Sequence, residues 1–357
     1  MTSGRSPVSV VIPCHSERRF DYLVSAIESA RTQSPAPAEI VVVVDHNPAL
    51  FERIRRKLPS VSVLQNRFER GVSGTRDTGA FHTITPLIAF LDDDILAYPG
   101  WLAGLVEPFA DLAVIGAGGG IEPRWETSQP DWLPDEFLWA VGGSYTGMPT
   151  RTAEVRDVWS ASMAVRREVF VSVGGFHTDF GKVGDRSRPE DTELCLRMSR
   201  AGGGRWRYVP DAVISHPVQA ERATFRYFLT RCFNEGRGKV LMARLLDGAD
   251  ARDAESPGAV EPGAGKLGAG QPGAGTLDSE RHYLRSTLPR AVRGGLVGAL
   301  RGRGARHGLR AGAVLAGVAA AALGALAELL AGRPPRPTDP ATVVTPERRS
   351  SPSRSAG

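Results

Sequence analysis

The chain has 357 residues, 41% of them hydrophobic and 23% charged, values typical of soluble globular proteins. They exclude collagen-like, wholly disordered and multi-spanning membrane proteins, and the length is enough for one large domain or two ordinary ones. The three cysteines lie far apart, which fits neither a disulfide framework nor a structural zinc site and indicates a reducing cytosol. The net charge of +5 is uneven: residues 281–357 have 13 Arg, no Lys and 3 acidic residues, a net charge of +10, which leaves −5 for the first 280.

Strand and helix patterns alternate in the first third of the chain. Runs of apolar residues predict strands at 8–12, 40–44, 61–64 and 87–91, with Pro13 expected to end the first of them. Helices are predicted between these strands, at 20–31, at 49–58 and from about Gly71 onward. This alternation predicts a doubly wound α/β unit.

The pattern changes in the rest of the chain. It is irregular over residues 113–156, and it then predicts a helix at 189–200, an edge strand at 206–214 and a helix at 224–246. Residues 256–276 repeat PGA and GAG, which indicates a flexible segment. We therefore expect a compact domain at residues 1–246, a flexible insertion at 247–280, a basic and Ala-rich helical region at 281–333, and a disordered tail at 334–357.

Polar and acidic residues follow three of the predicted strands. His15 and Glu17 come after the first strand, Asp45 after the second, and three consecutive aspartates after the fourth. Because ligands bind at the carboxyl ends of strands in open α/β sheets, we expect these side chains at one rim of the sheet. No GxGxxG or GxxxxGK[ST] loop follows any of these strands, which argues against a dinucleotide site and a P-loop.

Asp92, Asp93 and Asp94 are the most specific of these features. In an extended segment successive side chains alternate, so Asp92 and Asp94 are expected to point together and Asp93 away from them. Two neighbouring carboxylates repel each other, and a hard divalent cation such as Mg²⁺ or Mn²⁺, shared with substrate phosphates, is the usual counter-charge. An isolated DxD is more often a solvated acidic turn, but the apolar strand directly before it favours a site.

Six segments, in this order and spacing, resemble the inverting family 2 of nucleotide-sugar glycosyltransferases: VSVVIPCHSE, IVVVVD, GVSGTRDTGA, FLDDD, VGGF and EDTELCLR. The similarity covers residues 8–246. It implies a GT-A fold, which is a Rossmann-like nucleotide-binding sheet with an acceptor-side extension, here followed by the helical C-terminal region. It also implies transfer of a sugar from a nucleotide-diphosphate sugar, UDP-linked first and GDP- or dTDP-linked as alternatives, to a hydroxyl of a carbohydrate or lipid-linked acceptor. Such transfer belongs to cell-surface polysaccharide or glycolipid synthesis.

The resemblance also implies roles for individual residues. Asp45 would bind the base and ribose of the donor, Asp92 the ribose, and Asp94 the Mg²⁺ or Mn²⁺ ion that bridges the diphosphate. In the pair Glu190–Asp191, Asp191 is the expected catalytic base. The other expected donor contacts are Pro13, His15, Glu17, Arg76 and Asp93, and His216 with Asp92 is expected to complete the metal or diphosphate site.

Several of these residues have structural alternatives. Acidic residues in the first turn of a helix, such as Glu190 and Asp191, are stabilised by the helix dipole without any catalytic role. A lone histidine such as His216 is more often structural, and Arg76 is either a phosphate ligand or a surface cation. Trp132, Trp139 and Trp159 either anchor an irregular part of the core or stack on the acceptor sugar.

The basic C-terminal region predicts a surface partner. Residues 311–327 are uncharged, mostly Ala and Gly, and follow six arginines: Arg290, Arg293, Arg301, Arg303, Arg306 and Arg310. This stretch is a poor membrane span, so we expect it to lie on an anionic inner leaflet of the plasma membrane. No signal peptide is visible, so the protein is expected in the cytoplasm and without a nucleic-acid partner. The alternative is an Ala-rich helix packed on the catalytic domain.

Two other functions remain open on the sequence alone. A Mg²⁺-dependent nucleotidyltransferase or phosphotransferase could use acidic residues at strand ends, but it would more often have a Gly-rich phosphate loop with Lys. A non-catalytic membrane-surface binding protein could retain a transferase fold, although the intact acidic set argues against it.

Overall fold

The structure, a computed structural model, describes residues 6–177, 181–183, 186–255, 283–302 and 304–331. Its strands are β1 (Ser6–Cys14), β2 (Pro37–Val44), β3 (Ser62–Gln65), β4 (Leu87–Leu91), β5 (Leu96–Ala97), β6 (Val114–Trp125), β7 (Ala153–Val155), β8 (Ser162–Arg166), β9 (Gly181–Val183), β10 (Arg186–Arg188) and β11 (Arg205–Val218). Its helices are α1 (Phe20–Arg31), α2 (Pro48–Lys57), α3 (Val72–His82), α4 (Trp101–Val106), α5 (Arg167–Ser172), α6 (Glu190–Gly202), α7 (Phe225–Glu255), α8 (Leu288–Leu300) and α9 (Ala305–Leu330). Short 3₁₀ helices lie at Glu17–Arg19, Glu107–Ala110, Asp135–Val141 and Ala220–Ala223, and a π-helical turn at Tyr283–Thr287.

One mixed sheet of nine strands forms the centre of the described part, in the order β3-β2-β1-β4-β8-β6-β11-β5, with β7 also paired to β11. β1 is parallel to β2 and β4, and β2 is parallel to β3, which confirms the α/β unit predicted for this part of the chain. β8 runs antiparallel between β4 and β6, and β6 is parallel to β11. The carboxyl ends of β1, β2, β3, β4, β6 and β11 therefore lie at the same edge.

Both faces of the sheet are covered by helices. Val10 and Val42 belong to an apolar cluster with α1, α2 and α4, whereas Val11 and Val43 belong to a cluster on the opposite face with α3, α5 and α6. All four side chains are fully buried. Alternate residues of these strands enter different cores, so the strands are apolar throughout. Burial on both faces fixes the register of the strands and therefore the positions of their ends.

The long strand β6 occupies residues for which the sequence predicted no regular pattern. Its glycines explain the difference. A Cβ at Gly116 would lie 2.1 Å from the Trp206 ring, and one at Gly118 would lie 2.3 Å from Val158. Glycine is generally unfavourable in strands, so a strand that needs it for close packing is not recognised from propensity.

Two predictions about strands are wrong, one on a position in the sheet and one on a strand end. β11 is not an edge strand, because β6 pairs with one side of it and β5 and β7 pair with the other. Pro13 does not end β1, which continues to Cys14. The pairing with β4 stops at Val11, so Pro13 faces only β2, and a proline is tolerated where one side of a strand needs no N–H donor.

The C-terminal helices pack on the body, as the alternative interpretation of residues 311–327 predicted. A third apolar cluster joins Phe137 of the Asp135–Val141 turn, Phe228 of α7 and Val314 of α9. By length and composition alone α9 could cross a membrane, with a mean hydropathy of 2.1, and 22% of its most apolar stretch is buried. α7 extends to Glu255, past its predicted end at residue 246, and the rest of the expected flexible insertion and the tail at 334–357 lie outside the described residues.

Candidate active site

The residues that follow the parallel strands meet at one edge of the sheet. The N–H of Asp45 donates to the Cys14 carbonyl (2.7 Å), and the N–H of Asn66 donates to the Val44 carbonyl (2.9 Å). Asp92 follows β4, the neighbour of β1 on its other side. The fold therefore brings together at one edge the residues after the strands, which are far apart in sequence, as predicted.

Asp45 is oriented by hydrogen bonds to both of its carboxylate oxygens. Nδ2 of Asn66 donates to Oδ1 (2.8 Å), the N–H of Gly71 donates to Oδ2 (3.0 Å), and Nδ1 of His46 lies 2.8 Å from Oδ1. Gly71 has a φ of 146° at the start of α3, a conformation that a residue with a side chain rarely adopts. A carboxylate fixed in this way has lone pairs left for a ligand hydroxyl or N–H.

The three aspartates form a turn and not an extended segment, because the N–H of Ile95 donates to the Asp92 carbonyl (3.3 Å). The prediction that Asp93 points away from Asp94 is therefore wrong, because both side chains contact Arg19. Asp93 Oδ1 and Asp94 Oδ2 each lie 3.0 Å from Nη1 of Arg19. Asp92 Oδ1 instead accepts a 2.7 Å hydrogen bond from Nη2 of Arg76. The alternation of side chains holds for extended backbone only.

Asp93 is the most deeply buried of the three. Burial raises its pKa to about 7, the Arg19 guanidinium opposes this rise, and its Oδ2 has no hydrogen-bond partner. Arg19 lies at the end of the short helix after β1, so two separate loops supply the acids and their counter-charge. Arg19 thus neutralises part of the acidic turn.

Glu190 and Asp191 begin helix α6 at the same edge. Burial raises the pKa of Glu190 to about 8; the neighbouring Asp191 adds to the rise and Arg76 opposes it. Burial also raises the pKa of Asp191, against the Arg76 charge and hydrogen bonds from the Ser160 side chain and backbone. Burial and the Arg76 charge thus act in opposite directions on the pKa of each acid.

Arg76 lies between the aspartate turn and helix α6, so it is not a surface cation. Its side chain is 3% exposed, and its Nη1 lies 3.6 Å from Glu190 Oε1. The guanidinium also lies over the Phe176 ring, 5.5 Å from its centroid. Nε and Nη1 have no hydrogen-bond partner, so the cation keeps donors available inside the site.

The VGGF segment holds Phe176 against Arg76. The N–H of Phe176 donates to Oδ1 of the buried Asp77 (2.8 Å). Gly175 has a φ of +76°, and an added Cβ would lie 2.5 Å from the same oxygen. A glycine is therefore needed at this position for both conformation and space.

His216 is largely buried near the acidic turn. Burial lowers its pKa, Asp94 raises it, and Arg222 lowers it further. Its Nε2 lies 3.4 Å from Nη1 of Arg222, and its Nδ1 is buried without a hydrogen-bond partner. Within the described ranges, no three Asp, Glu, His or Cys side chains are grouped so that they could hold a metal ion. The predicted set Asp92, Asp94 and His216 is thus not preassembled, and a Mg²⁺ or Mn²⁺ ion held there would take its other ligands from substrate phosphates.

The remaining predicted residues differ in their surroundings. Pro13 is buried in β1, whereas His15 and Glu17 are exposed in the segment after it. Trp132 packs against Phe225 (ring centroids 5.1 Å apart), Trp139 against Phe137 (5.6 Å) and Trp159 against Tyr145 (6.2 Å). Trp132 and Trp139 pack against the third cluster, and Trp159 precedes Ser160, the partner of Asp191.

Three residues of the site were not predicted from the sequence: Arg19, Asn66 and Ser160. Asn66 directly follows β3, so the rule that found Asp45 and Asp92 could have found it. Arg19 ends a short 3₁₀ helix and Ser160 lies in an irregular segment, and no spacing in the sequence connects them with their acidic partners.

Comparison with known proteins identifies the family. The model described as glycosyl transferase family 2 matches residues 9–174. The glucosyl-dolichyl phosphate glucuronosyltransferase of Haloferax volcanii is 31% identical over 66% of this chain and 77% of its own length. The succinoglycan biosynthesis protein ExoM of Rhizobium meliloti is 26% identical over 57% of this chain and 65% of its own length.

A solved structure supports the fold. The mannosyltransferase PcManGT from Pyrobaculum calidifontis, in complex with GDP-Man and Mn²⁺, matches 90% of this chain and 88% of its own with a TM-score of 0.53 and 17% identity. The mixed sheet, with helices on both faces, is the predicted GT-A fold. The chain therefore belongs to glycosyltransferase family 2 and is a glycosyltransferase.

Proposed function

We propose that this enzyme moves a sugar, with inversion at the anomeric carbon, from a nucleotide-diphosphate sugar to a hydroxyl of a lipid-linked or polysaccharide acceptor. The observation that carries the proposal is Arg76, a buried cation that contacts Asp92 on one side and Glu190 on the other. Through these contacts Arg76 joins Asp92, at the end of β4, to the pair Glu190 and Asp191 at the start of α6. A single displacement needs a proton acceptor beside the bound donor, and this pair can supply it. The names of two relatives, which refer to dolichyl phosphate and to succinoglycan biosynthesis, support this acceptor class.

The donor would bind along the edge formed by β1, β2 and β4. Asp45, fixed by Asn66 and Gly71, would accept hydrogen bonds from the base and ribose, and Asp92 from the ribose. Pro13, His15, Glu17, Arg76 and Asp93 are the other proposed contacts. UDP is the first choice of nucleotide, with GDP and dTDP as alternatives.

A divalent cation, Mg²⁺ or Mn²⁺, would be held by Asp94, with Asp92 and His216 as further ligands. The unpartnered Nδ1 of His216 supports this proposal. The ion would neutralise the charge that develops on the leaving diphosphate. Arg19 and Arg76 supply positive charge to the same region.

Asp191 would act as the general base. Its pKa is raised by burial, but Arg76 and the hydrogen bonds from Ser160 favour its ionised form, which must accept the proton. As the acceptor oxygen bonds to the anomeric carbon, its proton passes to Asp191 and the bond to the diphosphate breaks on the opposite face. Glu190 is the second choice, because its pKa of about 8 leaves most of it protonated at neutral pH.

The location we propose is the cytoplasmic face of the plasma membrane. A lipid-linked acceptor would be present there, and the C-terminal region supplies an apolar helix and a run of arginines. Family membership weighs against the nucleotidyltransferase, the phosphotransferase and the non-catalytic binding protein as alternatives.

The test is to screen UDP-, GDP- and dTDP-sugars with polyprenyl-phosphate-linked sugar acceptors, with Mn²⁺ or with EDTA, and to determine the anomeric configuration of the product by NMR. We expect release of one nucleoside diphosphate, an inverted linkage, and loss of metal-dependent donor binding in Asp94→Ala. A retained anomeric configuration, or full activity of Asp94→Ala in EDTA, would contradict the proposed mechanism.

A further inference from the structure

Helix α9 has one side that is packed tightly on the catalytic body. A Cβ at Gly324 would lie 1.9 Å from the Phe233 carbonyl oxygen, and a Cβ at Gly236 of α7 would lie 1.9 Å from the Ala321 carbonyl oxygen. A Cβ at Gly317 would lie 2.8 Å from both the Phe137 and the Phe228 ring. The two helix backbones are therefore in contact, which only small residues permit.

Polar contacts fix the C-terminal end of α9 to the same partner. Glu328 is 9% exposed and forms a 2.8 Å ion pair with Nη2 of Arg237. Nη2 of Arg244 donates to the Leu329 carbonyl (3.2 Å). Helix α9 is thus attached to α7 along its C-terminal half, from Gly317 to Leu329.

The other side of α9 is exposed and apolar. Leu315, Leu323, Leu326 and Leu330 are between 52% and 78% exposed, and they recur at helical spacing on one side of the helix. No charged residue occurs from Ala311 to Ala327. A contiguous apolar surface of this kind on a soluble body marks a site of association with another apolar phase.

The part of the chain that leads into α9 is basic. Arg290, Arg293, Arg301 and Arg306 of the α8–α9 region are exposed. Among the residues described from 283 to 331, Glu328 is the only acidic one, and it is paired. Two copies of the chain that met through this surface would bring like charges together, whereas an anionic lipid surface has the opposite charge.

Length alone would allow α9 to cross a bilayer, since 26 residues span about 39 Å against a hydrocarbon core of about 30 Å. Crossing would separate α9 from α7, break the ion pair between the largely buried Glu328 and Arg237, and take that carboxylate into lipid. The contacts therefore favour a helix that stays on the body and presents one side only.

We propose that the exposed side of α9 lies in the plane of an anionic bilayer, with its leucines in the interface and the arginines of α8 and the α8–α9 turn on lipid headgroups. The helix does not span the membrane. This inference rests on the membrane location proposed above, but it does not depend on the donor or on the base.

The test is flotation of the full-length protein with vesicles of phosphatidylcholine and phosphatidylglycerol, and with vesicles of phosphatidylcholine alone. We expect binding to the anionic vesicles that weakens as salt is raised. Leu323→Asp with Leu326→Asp should weaken it at least ~10-fold, because burying a carboxylate in the interface costs more than one factor of ten. Ile84→Asp is the matched control, since Ile84 is 88% exposed on a turn outside α8 and α9, and it should bind as the unaltered protein does.

Three outcomes would overturn the inference. Protein that stays with native membranes through high-salt and alkaline washes would have a spanning helix. A dimer that is broken by the leucine substitutions, without vesicle binding, would show that a second copy covers the surface. Equal binding by the leucine variant and Ile84→Asp would show that α9 is not the contact. Transfer to a soluble acceptor is measured on the same samples, so failure of the proposed chemistry and failure of the membrane surface are distinguished.

Discussion

Arg76 is the residue on which the electrostatics of the site depend. Its buried guanidinium interacts with the charges of Asp92, Glu190 and Asp191. Burial favours the neutral forms of Glu190 and Asp191, and the Arg76 charge opposes it by favouring their ionised forms. Single substitutions of Asp191 and Arg76 should therefore affect proton transfer and donor binding to different extents.

Asp191→Asn tests the base. Asparagine has almost the same shape but cannot accept the proton, so we expect turnover to fall at least ~100-fold with donor affinity almost unchanged. Steady-state kinetics and nucleotide titrations measure the two quantities, with Asp111→Asn, an exposed residue before β6, as the control. A variant with normal turnover and weakened donor binding would instead make Asp191 a donor contact, and Glu190 would be the next candidate for the base.

Arg76→Met tests the control of that base by charge. Arg76 lowers the pKa of Asp191. Without this cation the pKa of the base rises, so the acidic limb of the pH profile of kcat/KM should move to higher pH by about one unit or more. Arg76→Lys keeps the charge and should move the limb much less, which separates the electrostatic effect from lost packing. Arg205→Met, which removes an exposed ion pair at the opposite edge of the sheet, is the control. A limb that stays in place in Arg76→Met would mean that Asp191 does not titrate in that range.

At the scale of elements, the parts that the sequence predicted well are those with a strong period. The bounds of α1 and β4 coincide with the prediction, because a continuous apolar face or run determines both. β6 was missed because its glycines serve the packing of Trp206 and Val158, which belong to distant segments. The aspartate turn was misjudged for a similar reason: its ion pairs with Arg19 and Arg76 depend on tertiary contacts that no local pattern contains.

The contact of α9 with α7 can be tested with two glycines of the same helix. Glycine to alanine favours an isolated helix by about 1 kcal/mol at either site. At Gly312 an added Cβ meets nothing within 4 Å, so Gly312→Ala should be neutral or stabilising. At Gly324 the Cβ would collide with the Phe233 backbone, so Gly324→Ala should lower the free energy of unfolding by about 1–3 kcal/mol. Urea denaturation of the two variants measures the difference, and equal stabilities would mean that the helices are not in close contact in solution.

At the scale of the whole molecule, charge and packing divide the chain differently. The charge changes sign near residue 281, which led to the prediction of a separate basic region, yet the apolar contacts continue across that point. α8 and α9 complete the third cluster, with Leu288, Ala313 and Val314 buried against the body. Composition indicated that this region is helical and basic. Composition could not show which side of α9 packs on the body. That side is marked by the glycines Gly317 and Gly324, and in the sequence they look like the glycines of a flexible segment.

A truncation after Thr276 tests whether α8 and α9 are part of the folded body. Removing them exposes Phe137 and Phe228 to water, and burial of a large apolar side chain contributes about 1.5–3 kcal/mol. We therefore expect a free energy of unfolding lower by ~3 kcal/mol or more, and a lower Tm, in the absence of any lipid. Truncation after Ala331, which leaves both helices intact, is the matched control and should have the stability of the full chain. If the chain that ends at Thr276 is as stable as that control, α9 is a tethered anchor that does not support the catalytic body, and the contacts between α7 and α9 do not persist in solution.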